Sequence, residues 1–342
     1  MSVGNNVPQM GYEGLVGIAQ ESTFGTFVTS TAWLEFNSES LKHNIEQIKL
    51  ESINGLRDYK KILQGNTTIE GSVEAPFCPA ETGCILFLKQ AMGGTCTVAA
   101  ASGTSYAHTF NLGNMESNKS SAGAAADYKG LSIAARPGAS AVKTFNFYGC
   151  RVNNWTIKGE ANSPIIFTAD LIGKGCSTSS TLPAASYSDI NPVTFVGASF
   201  KSGTTTTFAA EYVRSFELSL NNNINTDHRV LGSREVAQLP PAKRNIGFKV
   251  TQVFDTSTAY DRFTQQTQTA WEITLDTLIA RGSSAGTYKA VITLYDCRLG
   301  PNTPVVSGPG PIVQELNYTC LYASTPAKAM DVVITNKTAN YD

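Results

Sequence analysis

Phe145-Asn146-Phe147-Tyr148-Gly149-Cys150-Arg151-Val152 matches Ile292-Thr293-Leu294-Tyr295-Asp296-Cys297-Arg298-Leu299 without a gap. The spacing is 147 residues, and it holds to Pro164-Ile165-Ile166 against Pro311-Ile312-Val313. Tyr, Cys and Arg are identical, and most apolar positions stay apolar. A unit this long is too large for a solenoid repeat, so it points to two copies of one domain. A second block runs the same way. Leu41, Asn44, Gly55, Arg57, Ile69 and Val73 align with Leu218, Asn221, Gly232, Arg234, Ile246 and Val250 at a spacing of 177. The two spacings differ by 30 residues, which is extra sequence in the first copy, placed in the Ala/Gly/Ser-rich stretch from Thr97 to Ser140.

Composition narrows the function. The 342 residues suffice for two ordinary cores. Charged residues make up only 15%, which suits a surface largely covered by neighbours. Net charge is −1; residues 1–175 carry 13 basic and 14 acidic side chains, and the rest 13 of each. No domain-wide basic field marks a grip on nucleic acid. Seven cysteines without close pairing motifs point to free thiols and a reducing place of synthesis. Cys150 and Cys297 read as strand residues packed in the interior. The start has no basic segment followed by an apolar run, so no signal peptide is expected, and no apolar run is long enough to span a membrane as a helix.

The patterning is mainly β. Alternation predicts strands over Trp33–Phe36, Thr67–Ala75, Gly130–Ala135, Lys143–Val152 and Ile165–Leu171 in the first copy. In the second it predicts Tyr212–Leu220, Asn245–Phe254, Trp271–Ile279, Tyr288–Leu299 and Ile312–Tyr322. Leu41–Leu50 fits helical and strand spacing alike. The clearest helix follows Pro79 and ends at Gly93-Gly94, with Ile85, Leu88 and Met92 on one face. Its counterpart is Tyr260–Thr267. The organisation expected is an N-terminal arm (1–32), a first domain (33–175), a linker (176–208), a second domain (209–330) and a tail (331–342). Each domain is expected to be a β-sandwich or small barrel with one helix packed on a side and one long polar loop.

Catalytic motifs are weak. Gly282-Ser283-Ser284-Ala285-Gly286 has nucleophile-elbow spacing, but a strand follows it and no histidine lies beyond His228, so a hairpin loop is expected. His43, His108 and His228 are far apart, and no metal-ligand pattern completes around them or around Cys78 and Cys84. No phosphate-binding loop is present. The expectation is no catalytic residue, no cofactor and no metal.

The start of the chain then becomes informative. Gly14-Leu15-Val16-Gly17-Ile18-Ala19-Gln20-Glu21 leads into Thr23-Phe24-Gly25-Thr26, followed by Ser38-Glu39-Ser40-Leu41, Gly55-Leu56-Arg57 and Ile69-Glu70-Gly71-Ser72-Val73. This order resembles the tail tube proteins of long-tailed bacteriophages. The second copy, with Asn221-Asn222-Asn223, Leu231-Gly232-Ser233-Arg234 and Pro240-Pro241, looks like the same family's repeated domain. The resemblance implies a structural virion protein, made in the host cytoplasm, whose rings stack into the tube that conducts the genome. Its partners are then copies of itself and other tail proteins, while DNA passes through a near-neutral or acidic lumen without specific binding. Duplication implies a three-subunit ring with pseudo-sixfold symmetry, the alternative being six chains. The long loops would contact the adjacent ring through Glu46, Lys49, Glu51, Arg57, Asp58, Lys60 and Lys61 in the first copy. Asp227, Arg229, Arg234 and Glu235 would serve in the second. The rival readings are a tail-completion or secretion-tube component of the same fold, a carbohydrate-binding module using Trp33, Trp155 and Trp271, and a hydrolase, which the histidine count weakens.

Overall fold

The computed structural model describes residues 9–341, apart from 54, 102, 114–128, 139–142, 181–183, 205, 206, 283, 284 and 307. The first half contains β1 (Leu15–Gln20), β2 (Ala32–Leu34), β3 (Ser38–Glu39), β4 (Lys42–Lys49) and β5 (Ile62–Pro76). It continues with α1 (Thr82–Met92), β6 (Gly93–Ala100), β7 (Tyr106–Leu112), β8 (Leu131–Arg136), β9 (Thr144–Glu160), β10 (Ile166–Gly173) and β11 (Gly175–Ser179). The second half contains β12 (Ala198–Gly203), β13 (Phe208–Glu211), β14 (Ser215–Asn221), β15 (Asn245–Val253) and α2 (Thr258–Thr264). β16 (Thr269–Ala280), β17 (Thr287–Leu299), β18 (Val313–Leu321) and β19 (Met330–Asn336) complete it. The fold is mainly β, as the alternation requires, and the strand pairings are antiparallel.

The sequence match is also a match of register. Ser38 faces Glu74 in β3–β5, and 177 residues later Ser215 faces Thr251 in β14–β15. Arg151 faces Ile172 in β9–β10, and 147 residues later Arg298 faces Thr319 in β17–β18. Both spacings therefore survive as strand pairings, with apolar side chains directed the same way in both halves. A one-residue slip in either half would turn its apolar row out to solvent.

Long strands β9 and β17 each serve two parts of the sheet. The first part of β9 pairs with β8 and β11, and its second part with β10 and β14. β17 pairs with β16 and β19, and through its last residues with β18. One hydrophobic core runs through both halves, from Val16 and Phe87 to Trp155, Leu220, Trp271 and Ile334.

Several strands lie outside the sequence-predicted ones. β1, placed in the arm, pairs with β8 through residues 15–20 and with β2 through residues 16–18. β19, at the start of the expected tail, pairs with β17 and has Met330, Val332 and Ile334 fully buried. Leu41–Leu50 resolves as a strand, because β5 supplies a partner along its length. The excess sequence in the first copy includes the β6–β7 hairpin, and β7 pairs with β19 of the second copy.

α1 forms where the Pro79 and Gly93 signals place it. Gly93 adopts φ +62° and its N–H caps the Lys89 carbonyl, the left-handed termination that glycine accommodates readily. The helix is buried on more than the one face its spacing suggests: Cys84, Ile85, Leu86, Phe87, Leu88, Ala91 and Met92 are all enclosed. The chain's end contributes, since Lys89 Nζ donates to the Tyr341 carbonyl at 2.7 Å. The counterpart helix is α2, shorter and with only Ala259 buried.

Candidate assembly interface

The feature that organises the molecule is the join between β9 and β14. Glu160 to Asn154 pairs antiparallel with Ser215 to Asn221, so the sheet of the first copy continues into that of the second. Rows of residues cross the join. Ala75, Phe167, Ile157, Leu218, Phe248 and Tyr318 form one row on the core side. Glu74, Thr168, Thr156, Ser219, Gly247 and Thr319 form a neighbouring row on the opposite face. The sheet is thus a wall, apolar behind and polar in front.

On the polar face the charges offset one another. Lys158 Nζ lies 3.7 Å from Glu74 Oε2, and Lys249 Nζ 2.9 Å from Glu315 Oε2. Glu217 sits opposite both lysines in the strand register, and Glu70 and Asp170 share the face. Exposed pairs like these add little stability, but they remove the positive track that would hold phosphates. At the Pro76 end of the wall a cleft of about 480 Å³ lies over the join, lined by Lys158, Glu160, Glu217, Lys249 and Glu315.

At the opposite end the two long connections behave differently. In the first copy β4 and β5 extend as a hairpin, which leaves Glu46, Lys49, Glu51, Arg57, Asp58, Lys60 and Lys61 exposed. Ile53, Leu56, Tyr59 and Ile62 are exposed with them. In the second copy the equivalent segment folds back on the first. Arg229 donates to the Thr67 carbonyl at 3.2 Å through both Nη atoms and to the Arg234 carbonyl at 3.0 Å. Thr67 N–H donates to the Arg234 carbonyl at 2.9 Å, and the Arg234 guanidinium reaches Gln64 Oε1. Glu235 accepts from the Tyr148 hydroxyl at 2.7 Å, while Asp227 stays exposed. Arg57 and Arg234, matched in sequence, thus stand in different surroundings. Arg229, Arg234 and Glu235 bond within the chain, a role that sequence reasoning missed because it depends on which copy lies beside the loop.

The paired Tyr-x-Cys-Arg motifs also diverge in use. Arg151 is buried, donates to the Leu239 carbonyl at 3.3 Å and stacks on Phe24, 5.4 Å from its ring centre. Arg298 instead forks onto Asp296, at 2.6 and 3.1 Å, where the first copy has Gly149. Cys150 and Cys297 are both fully buried, and burial pushes both thiols well above the ordinary cysteine range. The opening motif has its own explanation. Glu21 is buried and accepts from Gly149 N at 2.6 Å, Gly25 N at 2.7 Å and Ser132 Oγ at 3.0 Å. It ties the Gly25 turn, β8 and β9 together, and burial raises its carboxyl above the ordinary value despite those bonds.

The rival chemistries find little here. Trp33, Trp155 and Trp271 are all buried, so none offers a ring face to a sugar. His43 and His228 are exposed on β4 and in the second loop. His108 is buried, with Nε2 2.7 Å from the Thr338 carbonyl and Tyr341 edge-on at 4.7 Å, and burial lowers its pKa. Among the described residues no group of three or more His, Cys, Asp or Glu side chains is arranged to hold a metal ion. Ser283 and Ser284 lie outside the described residues, but β16 and β17 flank them as a hairpin through Ala280 and Thr287. Among the described residues no helix is long and apolar enough to cross a membrane.

No curated protein matches the chain. A family model described as phage tail tube protein matches residues 11–320, which covers the opening motif, both repeats and the β9–β14 join. The chain therefore belongs to the phage tail tube protein family, a family of structural proteins.

Proposed function

We propose that this chain polymerises as stacked rings into the tail tube through which the phage genome leaves the virion. The observation that carries the reading is the β9–β14 join. Two tube-domain sheets already share one wall inside a single chain, and its polar face pairs its lysines with glutamates. Such a wall lets DNA slide past without retaining it. Three chains supply six equivalent sheet segments, so the ring is a trimer with pseudo-sixfold symmetry. Proposed domain limits follow the strand correspondence more than the linker composition: β1 occupies in the first copy the place that β12 takes in the second, each flanking the strand that pairs with β9 or β17.

The exposed β4–β5 hairpin is the contact to the adjacent ring. It projects from one end of the wall, and the charged cleft over the join lies at the other. Glu51, Arg57, Asp58, Lys60 and Lys61 can meet Lys158, Glu160, Glu217 and Glu315 there with complementary charge, which fixes register between rings. Synthesis in the host cytoplasm and assembly with other tail proteins complete the reading. Electron microscopy of the purified chain tests it. Tubes built of three-chain rings are expected; a preparation that stays monomeric under all assembly conditions would sink it, and rings of six whole chains would overturn the trimer.

A further inference from the structure

We infer, on the reading that the chain forms rings, that the free edge formed by β3 and β4 takes up Pro301–Val306 of a second copy. The register is the one that β14 and β9 use inside the chain. Within the chain, Glu217 faces Lys158, Leu218 faces Ile157, Ser219 faces Thr156, Leu220 faces Trp155 and Asn221 faces Asn154. The spacings of 177 and 147 hold through the strand pairings on either side. Applied to the join itself, they set Ser40 against Val305, Leu41 against Pro304, Lys42 against Thr303, His43 against Asn302 and Asn44 against Pro301.

Three observations support this occupant. First, β9 continues to Glu160 between two flanking strands, whereas its counterpart β17 stops at Leu299, where the second flank is missing. The chain beyond it keeps one ladder bond, from Gly300 N–H to the Asn317 carbonyl at 2.8 Å. It then leaves Val305 and Val306 each 71% exposed. Secondly, β3 and β4 pair with β5 on one side only among the described residues, and on their other edge the Leu41 N–H is held by Glu39 Oε1 at 2.5 Å, a bond that an incoming strand would replace. Thirdly, the chemistry matches by face at two central pairs, though not at Ser40–Val305 or His43–Asn302. Leu41 meets Pro304 on the core side, as Leu218 meets Ile157, and Lys42 meets Thr303 on the polar side, as Ser219 meets Thr156.

The prolines fit an edge strand of this kind, with a consequence. Asn222 N–H donates to the Asn153 carbonyl at 2.7 Å and Ala161 N–H to the Arg214 carbonyl at 3.1 Å. These bonds mark Trp155, Ile157 and Gly159 as the residues whose amides face β14. Pro301 replaces Asn154, whose amide faces the other way. Pro304 replaces Ile157 and removes one donor. The join between subunits therefore lacks the Pro304 donor and gains the Leu41 donor only when Glu39 releases it, so it has fewer ladder bonds than the join within the chain and is the seam that opens first.

The test is a cysteine pair in the full chain. Lys42 and Thr303 would sit in a non-hydrogen-bonded row, where opposing Cβ atoms come closest and suit a disulfide. Oxidation of assembled Lys42→Cys/Thr303→Cys protein should give covalent dimers and trimers on a denaturing, non-reducing gel. The single variants and the mis-registered pair Lys42→Cys/Val305→Cys should run as single chains. Ser40→Cys/Val305→Cys, in an equivalent row, reads the same join should the first pair fail to assemble. Wild-type tubes in micrographs with neither matched pair crosslinking would overturn the register and leave the tube reading intact. Absence of any wild-type ring or tube would instead sink the tube reading. A covalent product of six chains would keep the join and overturn the threefold count.

Discussion

The Tyr148 hydroxyl donates to Glu235 Oε1 at 2.7 Å, joining a strand of the first repeat to the long loop of the second. Tyr295, at the corresponding place in the second repeat, donates to Asp331 Oδ2 at 2.8 Å. The same phenol serves in one case as a brace between copies and in the other as a bond within one. Burial and the adjacent carboxylate hold both hydroxyls well above the ordinary tyrosine range, so both stay protonated donors through mildly alkaline pH. Tyr148→Phe should cost about 1.5–3 kcal/mol of stability, a typical loss for a bond to a charged partner. A double-mutant cycle with Glu235→Gln should show coupling of similar size in thermal or denaturant melts; additive losses would count against the brace.

Glu81 gives the fold a pH dependence. It stands at the start of α1, accepts from Glu35 N–H at 3.0 Å and is buried, and desolvation lifts its carboxyl from 4.5 to about 7. The folded state therefore binds a proton that the unfolded state has released between those values. Stability from this group is full below pH 4.5, falls as pH rises to 7, and stays lower above it. Glu81→Gln should remove that slope and raise stability at pH 8 relative to wild type by roughly 2–3 kcal/mol. Denaturant titrations at pH 5 and pH 8 measure it, and an unchanged difference between the two pH values would refute it.

Arg57 and Arg229 separate assembly from folding. Arg229 holds the second loop to the Thr67 carbonyl, so Arg229→Ala should destabilise the monomer by about 1–2 kcal/mol. Arg57 is exposed on the hairpin. Arg57→Ala should leave the melting curve within about 0.5 kcal/mol of wild type and reduce tube length and yield in micrographs. Normal tubes from Arg57→Ala would remove this residue from the contact between rings.

Gly149 is required by shape. Its φ is +62°, and a Cβ there would lie 2.6 Å from Lys174 Cβ and 3.3 Å from the Phe24 ring. Gly149→Ala should destabilise by about 1–3 kcal/mol. Asp296 occupies the matching place and forks with Arg298, so Asp296→Gly should be milder. Equal losses at the two positions would contradict the difference in surroundings.

Much of this architecture was legible in the residues, because alternation and the Tyr-x-Cys-Arg match report local geometry and its repetition. Strand β5 has Ile69, Val73 and Ala75 inward as read, and the spacings survive as register. What was illegible depends on partners remote in sequence. The Gly-rich run Leu15–Gln20 reads as an arm until β8, more than 100 residues later, is seen to pair with it. Met330–Asn336 reads as a tail because its flanks, β17 and β7, come from different copies. Arg229, Arg234 and Glu235 read as a charged loop reaching the adjacent ring, whereas the neighbouring copy holds them in a clasp within the chain.

The β6–β7 hairpin separates the two faces of the molecule in kind. It belongs to the first copy by sequence, lies in the sheet of the second, and has no counterpart between α2 and β16. In a ring of three such chains, the passage inside would look alike every sixth of a turn, while this hairpin would recur only every third. DNA in transit would meet six near-identical staves. A protein that seats around the ring where these hairpins lie could distinguish alternate staves, and so dock in three orientations instead of six.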